Sequence, residues 1–249
     1  MRSNGEHRAG SGVCQLSNDE CAALEGYTAR ATWPAGFLVY ERGASADGIF
    51  VVINGSVVLR SRGRGGRGFV PCIAICGQTF GAEGLTRHGL YSTEARADAA
   101  QTETLFMSSA KLRAFVREQP VHALALIGQA MAERTSLLEK LSEITTLSVE
   151  HRIMRALQQI AAQRAALDDT GRIELDNLRY RLLCEMVGAT RESVALVLGR
   201  LVGGGIVERV DSTLYVVPSA LSFERIGSSS DGLLVAGSAG GTRAGATLQ

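Results

Sequence analysis

The stretch that most constrains this 249-residue chain runs from Leu182 to Ile206, LLCEMVGATRESVALVLGRLVGGGI. Leu183, Met186 and Val187 fit one face of a short helix. Gly188 breaks that pattern, because glycine takes a left-handed turn without steric cost. Thr190 is a good N-cap, and the next helix, from Arg191 to Leu201, turns Val194, Val197, Leu198 and Leu201 inward. Two short helices across a tight glycine turn form the helix-turn-helix pattern, whose second helix enters the major groove of DNA. The segments upstream would then pair and position this unit.

Charge does not announce such a role. The formal net charge is only +1, and from Arg172 to Arg225 seven arginines face seven acids. A nucleic-acid reading must therefore rest on where the arginines sit. Apolar residues make up 45% and charged ones 20%, ordinary for a globular protein with a proper core. Five cysteines at irregular spacings do not form a disulfide framework. No apolar run approaches the roughly 20 residues that span a bilayer, and MRSNGEHRAGSG carries no apolar signal core. A cytoplasmic location and no membrane partner are expected.

The chain divides by composition. Residues 1–15 are polar and glycine-rich, an expected disordered N-terminus, and Ser17 to Leu24 reads as a capped short helix. Residues 16–119 form an expected β-roll effector domain. Its strand candidates are Phe37–Tyr40, Gly48–Ile53, Ser56–Arg60 and Phe69–Ala74, and Asn54-Gly55 gives a strong hairpin signal. The run Arg62-Gly63-Arg64-Gly65-Gly66-Arg67-Gly68 is the one basic cluster, read as a solvated tip.

A short helix around Lys111–Phe115 leads to a long one over 120–147. On that helix Leu124, Ile127, Met131, Leu138, Leu141 and Thr145 keep coiled-coil spacing, interrupted at Arg134. The first five are the expected homodimer contacts. Residues 148–226 hold a further amphipathic helix (Ile153, Leu157, Ile160), the helix-turn-helix, and a hairpin wing over Ile206–Val217. Residues 227–249, rich in Gly, Ser and Ala, read as a disordered tail. The fold class is α+β.

A β-roll, a dimer helix and a winged helix-turn-helix in this order resemble the cyclic-AMP receptor/fumarate-nitrate regulator (CRP/FNR) family. The resemblance is carried by Gly43-Ala44-Ser45-Ala46-Asp47-Gly48-Ile49-Phe50 with Asn54-Gly55-Ser56-Val57, by Phe80-Gly81-Ala82-Glu83-Gly84-Leu85, and by Val187-Gly188-Ala189-Thr190-Arg191-Glu192-Ser193-Val194. It covers roughly residues 17–222. It implies a transcription regulator, not an enzyme, that partners double-stranded DNA, its own copy and RNA polymerase. Four scattered histidines without a nucleophile motif or metal spacing agree with that.

Arg191 can grip guanine and Glu192 can accept from cytosine. The resemblance assigns both to base reading. Thr190 and Ser193 are expected phosphate contacts, as are Arg179 and Arg181 at the start of the preceding helix. Arg200 would touch backbone or pair with an acid. Leu196 falls where the family has a third base reader, which alters the sequence read. The resemblance also outlines an effector pocket from Gly81, Ala82, Glu83, Gly84, Leu85, Tyr91, Ser92, Leu137 and Leu138. Ala82 and Tyr91 stand where cyclic-AMP binders have a ribose-binding Glu and a phosphate-binding Arg, and Leu137-Leu138 replaces their hydroxyls. Cyclic AMP is therefore not the expected effector; a different small molecule, or none, is. No cofactor or metal is expected, and the alternatives are a partner-binding module with a weakened DNA reader or a redox-sensing regulator. Cys14, Cys21, Cys72 and Cys76 are the thiols an iron–sulfur cluster would use, Cys72, Cys76 or His88 could ligate haem, and Cys184 could serve as a redox switch.

Overall fold

A computed structural model describes residues 15–63, 68–86, 88–99, 101–161, 171–211 and 213–217. The expectations for the two termini and for Arg64 to Arg67 fall outside those residues. Ser17 caps α1 (Asn18–Leu24) through a capping box with Glu20. Eight strands follow: β1 (Ala29–Pro34), β2 (Leu38–Tyr40), β3 (Gly48–Asn54), β4 (Ser56–Arg62), β5 (Gly68–Ile75), β6 (Thr79–Phe80), β7 (Glu94–Ala97) and β8 (Gln101–Ser108). They make two four-stranded antiparallel sheets, ordered β1-β8-β3-β6 and β2-β7-β4-β5.

Asn54-Gly55 does not close the expected hairpin. β3 pairs with β8 and β6, whereas β4 pairs with β5 and β7, so this turn carries the chain from one sheet to the other. The burial pattern gives the reason. Residues 48–52 and 56–59 are buried without alternation, as strands covered on both faces are.

The interior between the sheets is aromatic, with Tyr40, Phe50, Phe80 and Tyr91 among its buried residues. A second cluster packs Ile49, Val51, Leu105 and Met107 against Leu24, Phe115 and Leu126. Those last residues come from α1, from α2 (Ser109–Glu118) and from α3 (Pro120–Thr146), the long helix opened by a proline at its first position. One face of α3 buries Ala123, Leu126, Gln129, Lys140 and Glu143. The opposite face leaves Leu124, Ile127, Met131, Leu138 and Leu141 exposed on this chain, Leu138 by 57%.

The last unit comprises α4 (Val149–Ala161), β9 (Ile173–Leu175), α5 (Asn177–Val187), α6 (Arg191–Gly203), β10 (Val207–Val210) and β11 (Thr213–Val216). Its small sheet runs β10-β11-β9, so the expected wing has a third strand ahead of the helices. The architecture is α+β: a β-roll, a long helix and a winged helix-turn-helix. The two globular parts share a core. Val58 and Val70 on the outer face of β4 and β5 lie in the same buried cluster as Leu182, Leu183, Met186, Val194 and Leu198. Beside it Arg60 Nε donates to Glu185 Oε2 at 2.7 Å, both side chains about 15% exposed.

Candidate nucleic-acid interface and sensor pocket

The start of α6 is fixed by caps and by contacts from α4 and α5. Asp176 caps α5 by accepting from the Arg179 N–H at 2.7 Å. Gly188 ends it with φ +66° and donates to Cys184 O at 3.0 Å, a left-handed C-terminal stop that a side chain would strain. Arg152 of α4 donates from Nη1 to Val187 O at 2.6 Å, fixing the turn from behind. Thr190 then caps α6 by accepting from the Ser193 N–H at 3.3 Å, and Tyr180 OH donates to Arg191 O at 2.9 Å. Val194, Val197, Leu198 and Leu201 are all buried. Burial of that stripe turns Arg191, Glu192 and Ser193 outward, and all three are exposed.

The other expected contacts divide. Arg181 is exposed. Arg179 is half-buried and donates to Glu174 O at 3.0 Å, tying α5 to β9. Arg200 pairs with Glu150 at 3.1 Å, the acid-pairing outcome. The wing is held by Arg172, whose guanidinium lies 4.5 Å above the Tyr215 ring and 3.4 Å from Glu208.

In the β-roll, Ala82–Leu85 forms a 3-10 turn lying so close to β3 that a Cβ on Gly84 would fall 2.1 Å from Gly48 O. Glycine at Gly84 is therefore a requirement of close approach. This turn presents Glu83, whose carboxylate accepts from both the backbone N–H and the hydroxyl of Ser92. Tyr91 is buried, stacked on Tyr40 with centroids 3.7 Å apart, and donates to Gly48 O at 3.1 Å. Burial, with Asp47 and Glu83 nearby, pushes its phenol up to about 12. Leu137 and Leu138 are both exposed on α3, at 41% and 57%.

The sequence reading missed the groups that α3 turns toward the roll. Gln129 is 4% exposed and its Oε1 accepts from the Thr79 N–H at 3.5 Å. One turn on, Glu133 is desolvated and lies near Glu83, which pushes its carboxyl up to about 7. Gln129 Nε2 and Glu133 Oε2 are buried without a hydrogen-bond partner. The signal available was two polar residues four apart on the face opposite the apolar seam. The result is a cluster of two carboxylates beside an aromatic stack, in which the donors at Ser92 are already taken.

Among the described residues no three of His, Cys, Asp and Glu come together as metal ligands. Cys72 packs among partly buried side chains of the roll, and burial with Glu133 nearby pushes its thiol up to about 12. Cys184 is buried on α5 and its thiol is also pushed up, chiefly by desolvation. High thiol pKa values disfavour the thiolate that ligates metals and reacts with oxidants.

Residues 30–119 match the cyclic nucleotide-binding domain family. The cAMP-activated global transcriptional regulator CRP of Haemophilus influenzae is 23% identical over 184 residues, 74% of this chain and 82% of that protein. The cyclic AMP receptor protein of Thermus thermophilus is 28% identical over 211 residues, 83% and 92% of the two chains. In fold, the c-di-GMP-responsive global regulator CLP of Xanthomonas campestris superposes with a TM-score of 0.68 at 21% identity, covering 80% of this chain and 99% of that one. A CRP/FNR-family transcriptional regulator, also of Thermus thermophilus, gives 0.65 at 18%, covering 78% and 96%. The matched domain, the relatives and the shared three-part architecture agree: residues 30–119 carry a cyclic nucleotide-binding domain, and the chain as a whole is similar in sequence and fold to transcriptional regulators of the CRP/FNR family.

Proposed function

We propose that this chain is a homodimeric regulator that reads pseudo-palindromic DNA through α6, acts with RNA polymerase in the cytoplasm, and does not answer to cyclic AMP. The observation that carries the DNA reading is the exposed Arg191-Glu192 pair at the capped start of α6. That is the end of a recognition helix that meets base edges, and Arg and Glu are residues that discriminate guanine and cytosine there. Arg181, Thr190 and Ser193 contact phosphate on either side. Arg179 and Arg200 serve mainly as braces, one to Glu174 and the other to Glu150. The relatives being transcriptional regulators supports a regulatory role over catalysis, and no described helix is long and apolar enough to cross a membrane.

The sensor reading rests on Glu83. A cyclic phosphate needs the donors at Ser92, but a carboxylate of the protein already holds them. The phosphate would have to displace that anion and then sit near Glu133 as well. Like charges in a partly dry site repel strongly. An effector of another kind, or none, fits better.

Duplexes selected from a random pool by the full chain and re-measured by fluorescence anisotropy test both parts. Inverted-repeat enrichment with half-sites about 34 Å apart, unchanged by cyclic AMP at saturating concentration, is expected. Absence of any enrichment refutes the DNA reading. Enrichment that needs cyclic AMP refutes the sensor reading alone.

A further inference from the structure

Leu196 is the most exposed large apolar side chain described in the winged helix-turn-helix unit, at 66%. It stands on α6 four residues after Glu192 and five after Arg191. At about 100° per residue, Leu196 points almost directly away from the stripe formed by Val194, Val197, Leu198 and Leu201. Glu192 and Gly199 lie on the same outer ridge. Its neighbours there are small: Ala195 is exposed, and a Cβ on Gly199 would meet nothing within 4 Å. Gly199 is therefore not required by packing within the chain, although glycine is among the poorest helix formers. A low ridge with one projecting leucine lets another surface approach closely and meet an apolar contact.

That surface is DNA. The leucine lies on the helix face that carries the exposed Glu192, next to Arg191 at the start of α6, whereas the apolar seam of α3 is on a different element. Leucine neither donates nor accepts a hydrogen bond. The apolar feature that a base edge shows in the major groove is the C5-methyl of thymine.

Resting on the DNA reading above, we propose that Leu196 reads a thymine methyl next to the bases read by Arg191 and Glu192, so that each half-site has a required T·A pair there. The contact is a shape and desolvation contact, and it distinguishes thymine from cytosine and from uracil by a single methyl group.

The test uses duplexes selected by the full chain, followed by resynthesis with deoxyuridine in place of each thymine in turn. One position per half-site is expected to weaken binding about fourfold on loss of its methyl, the effect of one buried methyl or methylene group. Leu196→Ala is expected to bind thymine and uracil duplexes equally, with an unchanged melting temperature because the residue is exposed. Specific binding with no methyl-sensitive position, or a methyl effect that persists in Leu196→Ala, overturns the proposal and leaves the DNA reading standing. A pool with no enrichment removes the DNA reading and this inference with it.

Discussion

Arg191 and Glu133 are both charged, but one is displayed and the other confined, and their expected effects differ accordingly. Arg191→Ala should cost about 1–3 kcal/mol per half-site on selected DNA while leaving the salt-dependent affinity for random DNA little changed; paired titrations on the two duplexes check it. Glu133 is expected to act on stability. Its carboxyl ordinarily titrates near 4.5 and is pushed up to about 7 in the folded chain, so the folded state holds the proton more tightly than the unfolded state. Stability is then fully present below the ordinary value and falls as pH rises through about 7. Glu133→Gln should flatten that fall, measured as the difference in unfolding free energy between the two proteins from pH 4 to 8, and should be about 2 kcal/mol more stable at the upper end. At this scale the helix-turn-helix was legible because each cue is local. Gly188, Thr190 and the stripe Val194, Val197, Leu198 and Leu201 depend on neighbours within a few residues. The Glu83–Ser92 bond and the confinement of Glu133 depend on which distant segments meet, and no spacing encodes that.

Elements show the same division. Helices α1, α3 and α6 announce themselves through Ser17, Pro120 and Thr190 at their starts. Asn54-Gly55 marks a turn but not a hairpin, because turn chemistry does not say which strand the next one pairs with. β1, β7 and β8 carry too many polar residues on their outer faces (Arg30, Thr32, Glu94, Arg96, Glu103) to look like strands by hydrophobicity alone. The unforeseen element contact is that of β4 and β5 with α5. Arg60 meets Glu185 at 2.7 Å and Glu94 at 3.6 Å beside Val58 and Val70. Removing one partner leaves a mostly buried charge without its main hydrogen bond. Arg60→Ala should therefore destabilise the chain by about 2 kcal/mol. Denaturant unfolding followed by probes on each unit checks the coupling, and the two transitions should separate in the variant. Coincident transitions at unchanged midpoint would show that the apolar contact alone joins the units.

For the whole molecule the decisive surface is the outer face of α3. Leu124, Ile127, Met131, Leu138 and Leu141 stay exposed along the helix, while Ala123, Leu126 and Gln129 on the other face of its first half are buried against the roll. Five large apolar side chains along one face form a patch that a monomer rarely displays. Their spacing of three, four, seven and three residues, interrupted only at Arg134, suits a matching helix with the same residues opposite. Pairing through that seam would let a chain with a net charge of only +1 hold DNA: two α6 helices at fixed separation would bind one duplex together, the second binding event being intramolecular. Leu138→Glu places a carboxylate of each copy in the centre of that seam. It should convert the protein from a dimer to a monomer in sedimentation velocity, and it should weaken binding to a two-half-site duplex by about 10²-fold or more while a single half-site is bound as before. A variant that remains dimeric with full affinity would place the dimer contact elsewhere and leave the exposed seam without an occupant.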